Sequence, residues 1–332
     1  MQITEIRVPA FSTPPGALRP ARRELEPPAA GEVTIGVEAA GVSFDDMLMR
    51  RGTCPGQEGP PLVPGRDVVG VVTAAGADGA GADLVGRRVA AVVGAGGWAD
   101  GVNAPLGSVV PVPEGLSPVA AVGIGYAGVL AWYMVHRQAR VAAGQTVVVP
   151  GAPGWVGTVL VQLAELAGAR VIGVSSTRQL AEATRLRFEP VDHWVEDVPS
   201  RVAKLAPDGV HAVFDPIGGP NLAESAGFLR EGGALISYGN WFTRDEPAAR
   251  HTTDLAALGG RAVAVDLFQG QWREELAGML GEVLTLAAAR RIEPYIAAAR
   301  PLTEAGGALA EFEQGGLVGR VVLTTERLPS AA

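Results

Sequence analysis

The spacing of hydrophobic and polar positions changes once along this chain, near residue 117. Before it, the apolar residues come in short β-branched runs: Ile3 to Val8, Glu32 to Ala39, Asp67 to Ala74, Arg87 to Val93 and Val109 to Val112. Pro and Gly clusters cut them apart, at Pro14 to Gly16, Pro27 and Pro28, and Gly59 to Gly65. Such runs predict a compact, partly open β-barrel. One short helix interrupts them, Phe44 to Arg51 after Ser43, with Asp45 and Asp46 in a first turn that favours negative charge. Helix capping accounts for Asp45 on this reading.

From Ser117 the period becomes helical. A capped segment runs toward Val122, and Ala127 to Arg137 continues as a longer apolar helix. Further on, helices at Arg178 to Leu186 and Pro199 to Leu205 alternate with strands at Val210 to Phe214, Gly232 to Tyr238 and Arg261 to Phe268. That alternation predicts a parallel, doubly wound α/β sheet. An amphipathic helix at Trp272 to Arg290, a helix near Glu304 to Phe312 and a strand at Gly319 to Thr324 close the chain.

Residues 146 to 178 carry the most chemistry. Thr146 to Val149 reads as a strand, and a turn with Gly151, Gly154 and Gly157 leads into a helix through Val159, Leu160, Leu163 and Leu166. Gly168 stops the helix in a left-handed conformation, and Arg170 to Val174 is a second strand. The N-terminus of a helix in such a βαβ unit suits a pyrophosphate, because its N–H groups are unpaired and carry partial positive charge. Gly154 lets the backbone approach the phosphates, and Gly157 lets the helix pack close on the strands. Gly151, Gly154, Trp155, Val156 and Gly157 are the candidate cradle. Where an NAD site usually carries Asp or Glu, this chain reads Ser175, Ser176, Thr177, Arg178. Hydroxyls and a guanidinium can donate to a 2′-phosphate, so NADPH is expected ahead of NADH.

Charge and cysteine content narrow the partners. Lys and Arg number 27 against 35 Asp and Glu, a net charge of −8, and no basic run interleaves with aromatics, which argues against nucleic acid. Met1 to Val8 contains Glu5 and Arg7 and runs into Pro9, unlike a signal peptide. No apolar run reaches about 18 residues without a breaker or charge. A cytoplasmic protein without a membrane partner is expected. Cys54 is the single cysteine, and His136, His193, His211 and His251 are scattered, so no metal site is expected.

Eight spaced fragments add a resemblance that covers nearly the whole chain. They are AAGVSFDDMLMRRG at 39–52, PLVPGRDVVGVV at 61–72, GRRVAAVV at 86–93, GGWAD at 96–100, VVVPGAPGWVG at 147–157, VFDPIGG at 213–219, GGALISYGN at 232–240 and GLVGRVVLT at 316–324. In this order they resemble the zinc-free branch of the medium-chain dehydrogenase/reductase superfamily, the quinone oxidoreductase or zeta-crystallin-like group. The resemblance implies a GroES-like β-barrel catalytic domain, 1–121 and 270–332, with a Rossmann-type dinucleotide-binding domain, 122–269, inserted in it. It also implies a homodimer joined through the strand Val263 to Phe268.

Zinc-dependent members of the superfamily hold their metal at positions matching Ser43, Arg66 and about Ala127, none of which can replace a Cys, His, Cys set. The implied reaction is therefore zinc-independent hydride transfer from NADPH to the β-carbon of a quinone or α,β-unsaturated carbonyl, with donors waiting for the charge that develops on oxygen. Such a step fits tailoring in a biosynthetic pathway. Tyr238 and Asn240 match a segment beside the nicotinamide. Enoyl-reducing relatives carry a Tyr in an RxGxY pattern, which here reads Arg50-Arg51-Gly52-Thr53-Cys54. Cys54, Asp46, Arg66 and Tyr126 are the remaining candidate donors or orienters. Phe44, Met47, Trp98, Tyr126, Trp241 and Phe268 are candidates for an apolar wall around a small apolar or aromatic carbonyl substrate. Two other readings stay open, a standalone enoyl-thioester or polyketide enoyl reductase, and an NADPH-binding structural or sensing protein without turnover.

Overall fold

The computed structural model describes residues 1–54, 57–241, 262–265 and 275–326. The chain divides into two compact units, Met1–Val129 with Gln271–Gly315 and Arg320–Ala332, and Leu130–Gly270 with Gly316–Gly319.

The first unit is mainly antiparallel. A hairpin pairs β1 (Gln2–Arg7) with β2 (Arg19–Glu24). The larger sheet joins β3 (Glu32–Gly41), β4 (Asp67–Ala75), β5 (Arg88–Val92), β6 (Gly101–Pro105), β7 (Val109–Pro111), β14 (Ile296–Pro301) and β15 (Arg320–Thr324). Its order is β14-β15-β3-β4-β5-β7, with β6 on β3. Strand β3 is buried along nearly its whole length, with Val33, Ile35 and Val37 alternating with the buried Thr34, Gly36 and Glu38. Helix α1 (Phe44–Arg51) follows β3 directly, and Gly52, at φ +80°, ends it with its N–H on Met49 O, 3.2 Å.

Helix α2 (Pro118–Tyr133) runs on into a π-helical turn, Met134–Gln138. Joined, these 21 residues are long and apolar enough to cross a membrane, although 78% of that window is buried inside the protein, as in the core helix of a globular fold. The glycines taken as breakers are absorbed in the helix; Gly128 packs against Val283.

The second unit is a six-stranded, all-parallel sheet. Its strands are β8 (Thr146–Pro150), β9 (Arg170–Ser175), β10 (Glu189–Asp192), β11 (Val210–Asp215), β12 (Leu229–Ser237) and β13 (Ala262–Ala264). They lie in the order β10-β9-β8-β11-β12-β13, the doubly wound dinucleotide-binding order. Helices α3 (Gly157–Leu166), α4 (Thr177–Glu182), α5 (Val198–Leu205) and α6 (Asn221–Gly227) connect them. Val148, Ile172, Val191, Val213 and Leu235 form the centre of the core. Two further helices, α7 (Leu276–Ala288) and α8 (Ala305–Gln314), belong to the first unit. The expected strand ending at Phe268 is described only over Ala262–Ala264; Phe268, His251 and the start of the helix expected from Trp272 lie outside the described residues.

Candidate functional site

In the first unit the sequence places two adjacent carboxylates at the start of α1, and the fold sends them to different tasks. Asp46 is fully buried. Its Oδ2 accepts from Ser43 N at 2.7 Å and Ser43 Oγ at 2.8 Å, and its Oδ1 from Gly65 N at 2.6 Å. Asp46 is thus the capping carboxylate and clamps α1 to the loop before β4. That corrects two expectations: the cap is Asp46 rather than Asp45, and an Asp46 sealed among these donors is not placed to meet a substrate.

Asp45 takes the role the sequence had offered to its neighbour. Tyr126 Oη, from α2, donates to Asp45 Oδ2 at 2.8 Å, and Arg66 Nε pairs with the same oxygen at 3.2 Å. Arg66 Nη1 also donates to Gly94 O at 2.5 Å and Nη2 to Cys54 Sγ at 3.1 Å. Arg66 therefore takes Asp45 as its ion-pair partner. Four side chains from α1, its following loop, the β4 approach and α2 make one connected cluster. Asp45 is its most open member, with 24% of its side chain exposed, whereas Tyr126, Arg66 and Cys54 are buried.

Burial sets the protonation states. It pushes the Cys54 thiol up to about 11, with Asp45 adding to the shift and Arg66 opposing it. Burial, then the Asp45 charge, pushes the Tyr126 phenol well above its ordinary range, again against Arg66. Burial works against the Arg66 charge, but Asp45 and its neighbours outweigh it and the guanidinium stays cationic. Cys54 is a correspondingly weak acid, kept as a thiol.

Asp46 itself is held up to about 6 by burial, which outweighs its three hydrogen bonds and the Arg66 charge. The unfolded chain gives up this proton first, near the ordinary value of 3.8. The stability this group contributes is therefore full below about 3.8 and declines as pH rises to about 6. Urea denaturation of the wild type and of Asp46→Asn across pH 4 to 7 checks this. The wild type is expected to lose stability across that window relative to the variant, whose amide does not titrate, and parallel profiles would refute it.

Of the expected wall residues, Met47 and Trp98 are wholly buried. Trp98 Nε1 donates to Gly41 O at 3.0 Å, so it is a core anchor rather than a pocket surface. Phe44 and Trp241 are half-buried and compatible with a wall.

In the second unit the glycine turn has the expected form. Gly151 sits at φ +67° and Gly168, after α3, at φ +83°. A Cβ on Gly157 would collide with the carbonyls of Gly151 and Ala152, so its bare backbone closes the turn on itself rather than the helix on the strands. A Cβ on Gly154 would meet only Gly151 O, at 3.0 Å. Thr158 N donates to Gly154 O at 2.9 Å, while Pro153 O, the acceptor Gly157 N–H would use in a longer helix, is taken by Gly319 N at 2.8 Å. The start of α3 lies beside an uncluttered Gly154, the setting a phosphate cradle requires. Val156 is buried behind it and Trp155 is half-buried.

At the end of β9 the donors differ from expectation. Ser175 Oγ and Ser176 Oγ both donate to Gln179 Oε1, at 2.9 and 3.1 Å. Thr177 gives its hydroxyl bond to Asp192. Arg178 pairs with Glu182 at 2.9 Å on an exposed face of α4. Gln179 and Asp192 carried no recognisable signal, since each acts through a neighbour brought up by the fold. The same holds for Asp215, whose carboxylate caps the turn after β11 through Ile217 N, Gly218 N and Ser225 Oγ at 2.6 to 2.8 Å. Tyr238 follows β12 with its N–H on Asp215 O, and burial, then Asp215, raises its phenol far above the ordinary range. Asn240 is half-buried two residues on. Among the described residues, no group of three or more His, Cys, Asp or Glu is placed to hold a metal ion.

Comparison with known proteins gives matches along most of the chain. Residues 29–151 match the alcohol dehydrogenase GroES-like domain and residues 156–284 the zinc-binding dehydrogenase domain. The human synaptic vesicle membrane protein VAT-1 homolog-like is 26% identical over 335 residues, 94% of this chain and 79% of that protein. A phthioceranic/hydroxyphthioceranic acid synthase of Mycobacterium tuberculosis is 28% identical over 305 residues, 90% of this chain but 14% of the synthase. A mycobacterial structure complexed with NADPH superposes with a TM-score of 0.85 at 28% identity, covering 97% of this chain and 99% of that one. The Escherichia coli quinone oxidoreductase complexed with NADPH shares the fold, with a TM-score of 0.86 at 22% identity and coverages of 97% and 99%.

Proposed function

The chain is an oxidoreductase belonging to the medium-chain dehydrogenase/reductase superfamily, of the quinone oxidoreductase type, and from that premise we propose that it is a zinc-independent, NADPH-dependent reductase of quinones or α,β-unsaturated carbonyl compounds. The observation that carries this reading is the Asp45–Arg66–Tyr126–Cys54 cluster. One of its members, Arg66, stands at a position matching a zinc ligand of the zinc-dependent members and puts a fixed cation there, and the Tyr126 phenol adjoins a second. Ser43 gives its hydroxyl to Asp46, Arg66 is a guanidinium without a lone pair to offer, and Ala127 is a methyl group.

The residues of the second unit suit the cofactor. The Gly154 turn and the start of α3 would take the pyrophosphate, and the Ser175 to Arg178 segment the adenosine ribose; that the 28%-identical mycobacterial protein is complexed with NADPH supports the choice of cofactor. A dinucleotide bound there would supply a hydride for the β-carbon of the conjugated system. In the first unit Tyr126 supplies the proton that completes the reduction. Its raised pKa keeps the phenol loaded at working pH, and Asp45 stays paired with Arg66 when the hydroxyl turns from Asp45 to the substrate. Phe44, half-buried in the first unit, offers the substrate apolar surface. A homodimer would use the edge strand β13, where Val263 is 36% exposed.

The test is NADPH oxidation by protein treated with a strong chelator, assayed with a quinone, a cyclic enone and an enoyl thioester. Turnover of the quinone or enone, unchanged by the chelator, is expected. Turnover of the thioester alone would favour the second substrate class, to which the match with a segment of the acid synthase points. Binding of NADPH without consumption of any acceptor would sink the reductase reading.

A further inference from the structure

The orientation of one amide decides what the ribose end of the dinucleotide meets. Gln179 lies in α4, and its Nε2 donates to Leu317 O at 2.9 Å. A carbonyl oxygen only accepts, so the nitrogen of this amide must face Leu317 and its oxygen must face away. There Gln179 Oε1 meets Ser175 Oγ at 2.9 Å and Ser176 Oγ at 3.1 Å. An amide oxygen also only accepts, so each serine has given its single hydroxyl proton to Gln179. Ser176 Oγ additionally faces Gln179 N at 3.5 Å, as the cap of α4. The third hydroxyl of the segment, on Thr177, is committed to Asp192.

Toward a ligand these serines have lone pairs and no protons. A ribose 2′-hydroxyl can donate to them. A 2′-phosphate cannot, and its charge meets oxygen lone pairs. Arg178 is the group on this segment with protons for a phosphate, on a side chain 77% exposed and held to Glu182 one turn on.

We propose that Gln179, locked by the Leu317 carbonyl, sets cofactor specificity by turning Ser175 and Ser176 into acceptors, so that within this segment Arg178 is left to favour NADPH and NADH is also accepted. The proposal rests on the dinucleotide reading above and deepens it. Gln179 acts through the serines and is a positioning residue.

The experiment is titration of the full chain with NADPH and with NADH, followed by quenching of tryptophan fluorescence. Gln179→Leu frees both hydroxyl protons, and the preference for NADPH is expected to rise about tenfold. Gln179→Glu keeps the acceptors and adds negative charge, and the preference is expected to fall by a similar factor. Arg178→Gln is expected to weaken NADPH about tenfold and leave NADH unchanged. Opposite movements of the two Gln179 variants are the signature, since general damage to the fold would weaken both cofactors together. If Gln179→Leu does not fold, as judged by circular dichroism, Gln179→Glu and Arg178→Gln still carry the test. An affinity ratio that stays constant across the Gln179 variants overturns the proposal. Failure of the wild type to bind either dinucleotide would overturn the cofactor reading itself, a result distinguishable from a constant ratio.

Discussion

Replacing Arg320 with methionine is expected to destabilise the first unit by about 3 to 5 kcal/mol, the cost of leaving a buried charge without its partner. The Arg320 guanidinium is completely buried at the start of β15. It makes a two-pronged pair with Asp67 of β4, Nη2 to Oδ1 at 2.5 Å and Nη1 to Oδ2 at 2.8 Å, and Nη1 donates to Val122 O of α2 at 2.6 Å. Methionine matches the length of the stem but returns none of these bonds, and Asp67 keeps only the Tyr126 amide, 3.1 Å from Oδ2. The loss can be read from chemical denaturation followed by circular dichroism. Arg320→Met combined with Asp67→Leu is expected to recover much of it, because the orphaned charge is then gone. Equal losses in the single and double variants would show that the pair itself, rather than the unpaired charge, carries the energy. Gly41→Ala should fail in the same way, since a Cβ there would fall on the Arg320 guanidinium and within 2.7 Å of Asp67 Oδ1.

This pair also explains why the candidate site was only partly legible. Elements with a strong period stood out. The glycine turn, α3 and the apolar strands β8, β9 and β11 follow from Val runs and glycines that can be read locally. The polar strand β2, RPARRE, carries no hydrophobic alternation and exists because it pairs with β1. Strand β10, four residues long, is held by β9 in the same way, and β14, IAAARP, by β15. Helix α6, NLAESAG, has too few apolar positions to signal itself before Leu222 finds the core. In the site, adjacency along the chain misled. Asp45 and Asp46 are equivalent by sequence, and only the loop that returns Gly65 to Asp46, and the helix that carries Tyr126 to Asp45, tells them apart. Met47 and Trp98 looked like pocket residues for a similar reason, because an aromatic or thioether side chain serves a core and a wall equally well until its burial is known. Ser175 ends β9 and Ser176 caps α4. The direction of their protons depends on Leu317, more than 130 residues away, through the Gln179 amide.

Tyr126→Phe is expected to lower kcat for enone or quinone reduction about 100-fold while leaving dinucleotide affinity and thermal stability near those of the wild type. The variant removes one oxygen from a buried cluster that keeps its Arg66–Asp45 ion pair, so the fold has little reason to respond. Reduction of a conjugated bond needs a proton as well as a hydride. The Tyr126 phenol, raised by burial and by Asp45, stays protonated where an ordinary tyrosine would begin to ionise. The proton passes from the phenol to the enolate, and the Arg66 charge stabilises the tyrosinate left behind. A structural role for the hydroxyl would leave the pH profile in place, and Asp45→Asn separates the two. Removing the Asp45 charge withdraws one cause of the upward shift and leaves Arg66 to pull the phenol down, so the alkaline limb of the kcat profile should move to lower pH. An unchanged kcat in Tyr126→Phe would mean that solvent supplies the proton and that the cluster serves to hold α1 against α2. A large loss in Tyr126→Phe, together with a displaced alkaline limb in Asp45→Asn, would establish the phenol as the donor and Asp45 as the group that keeps it loaded.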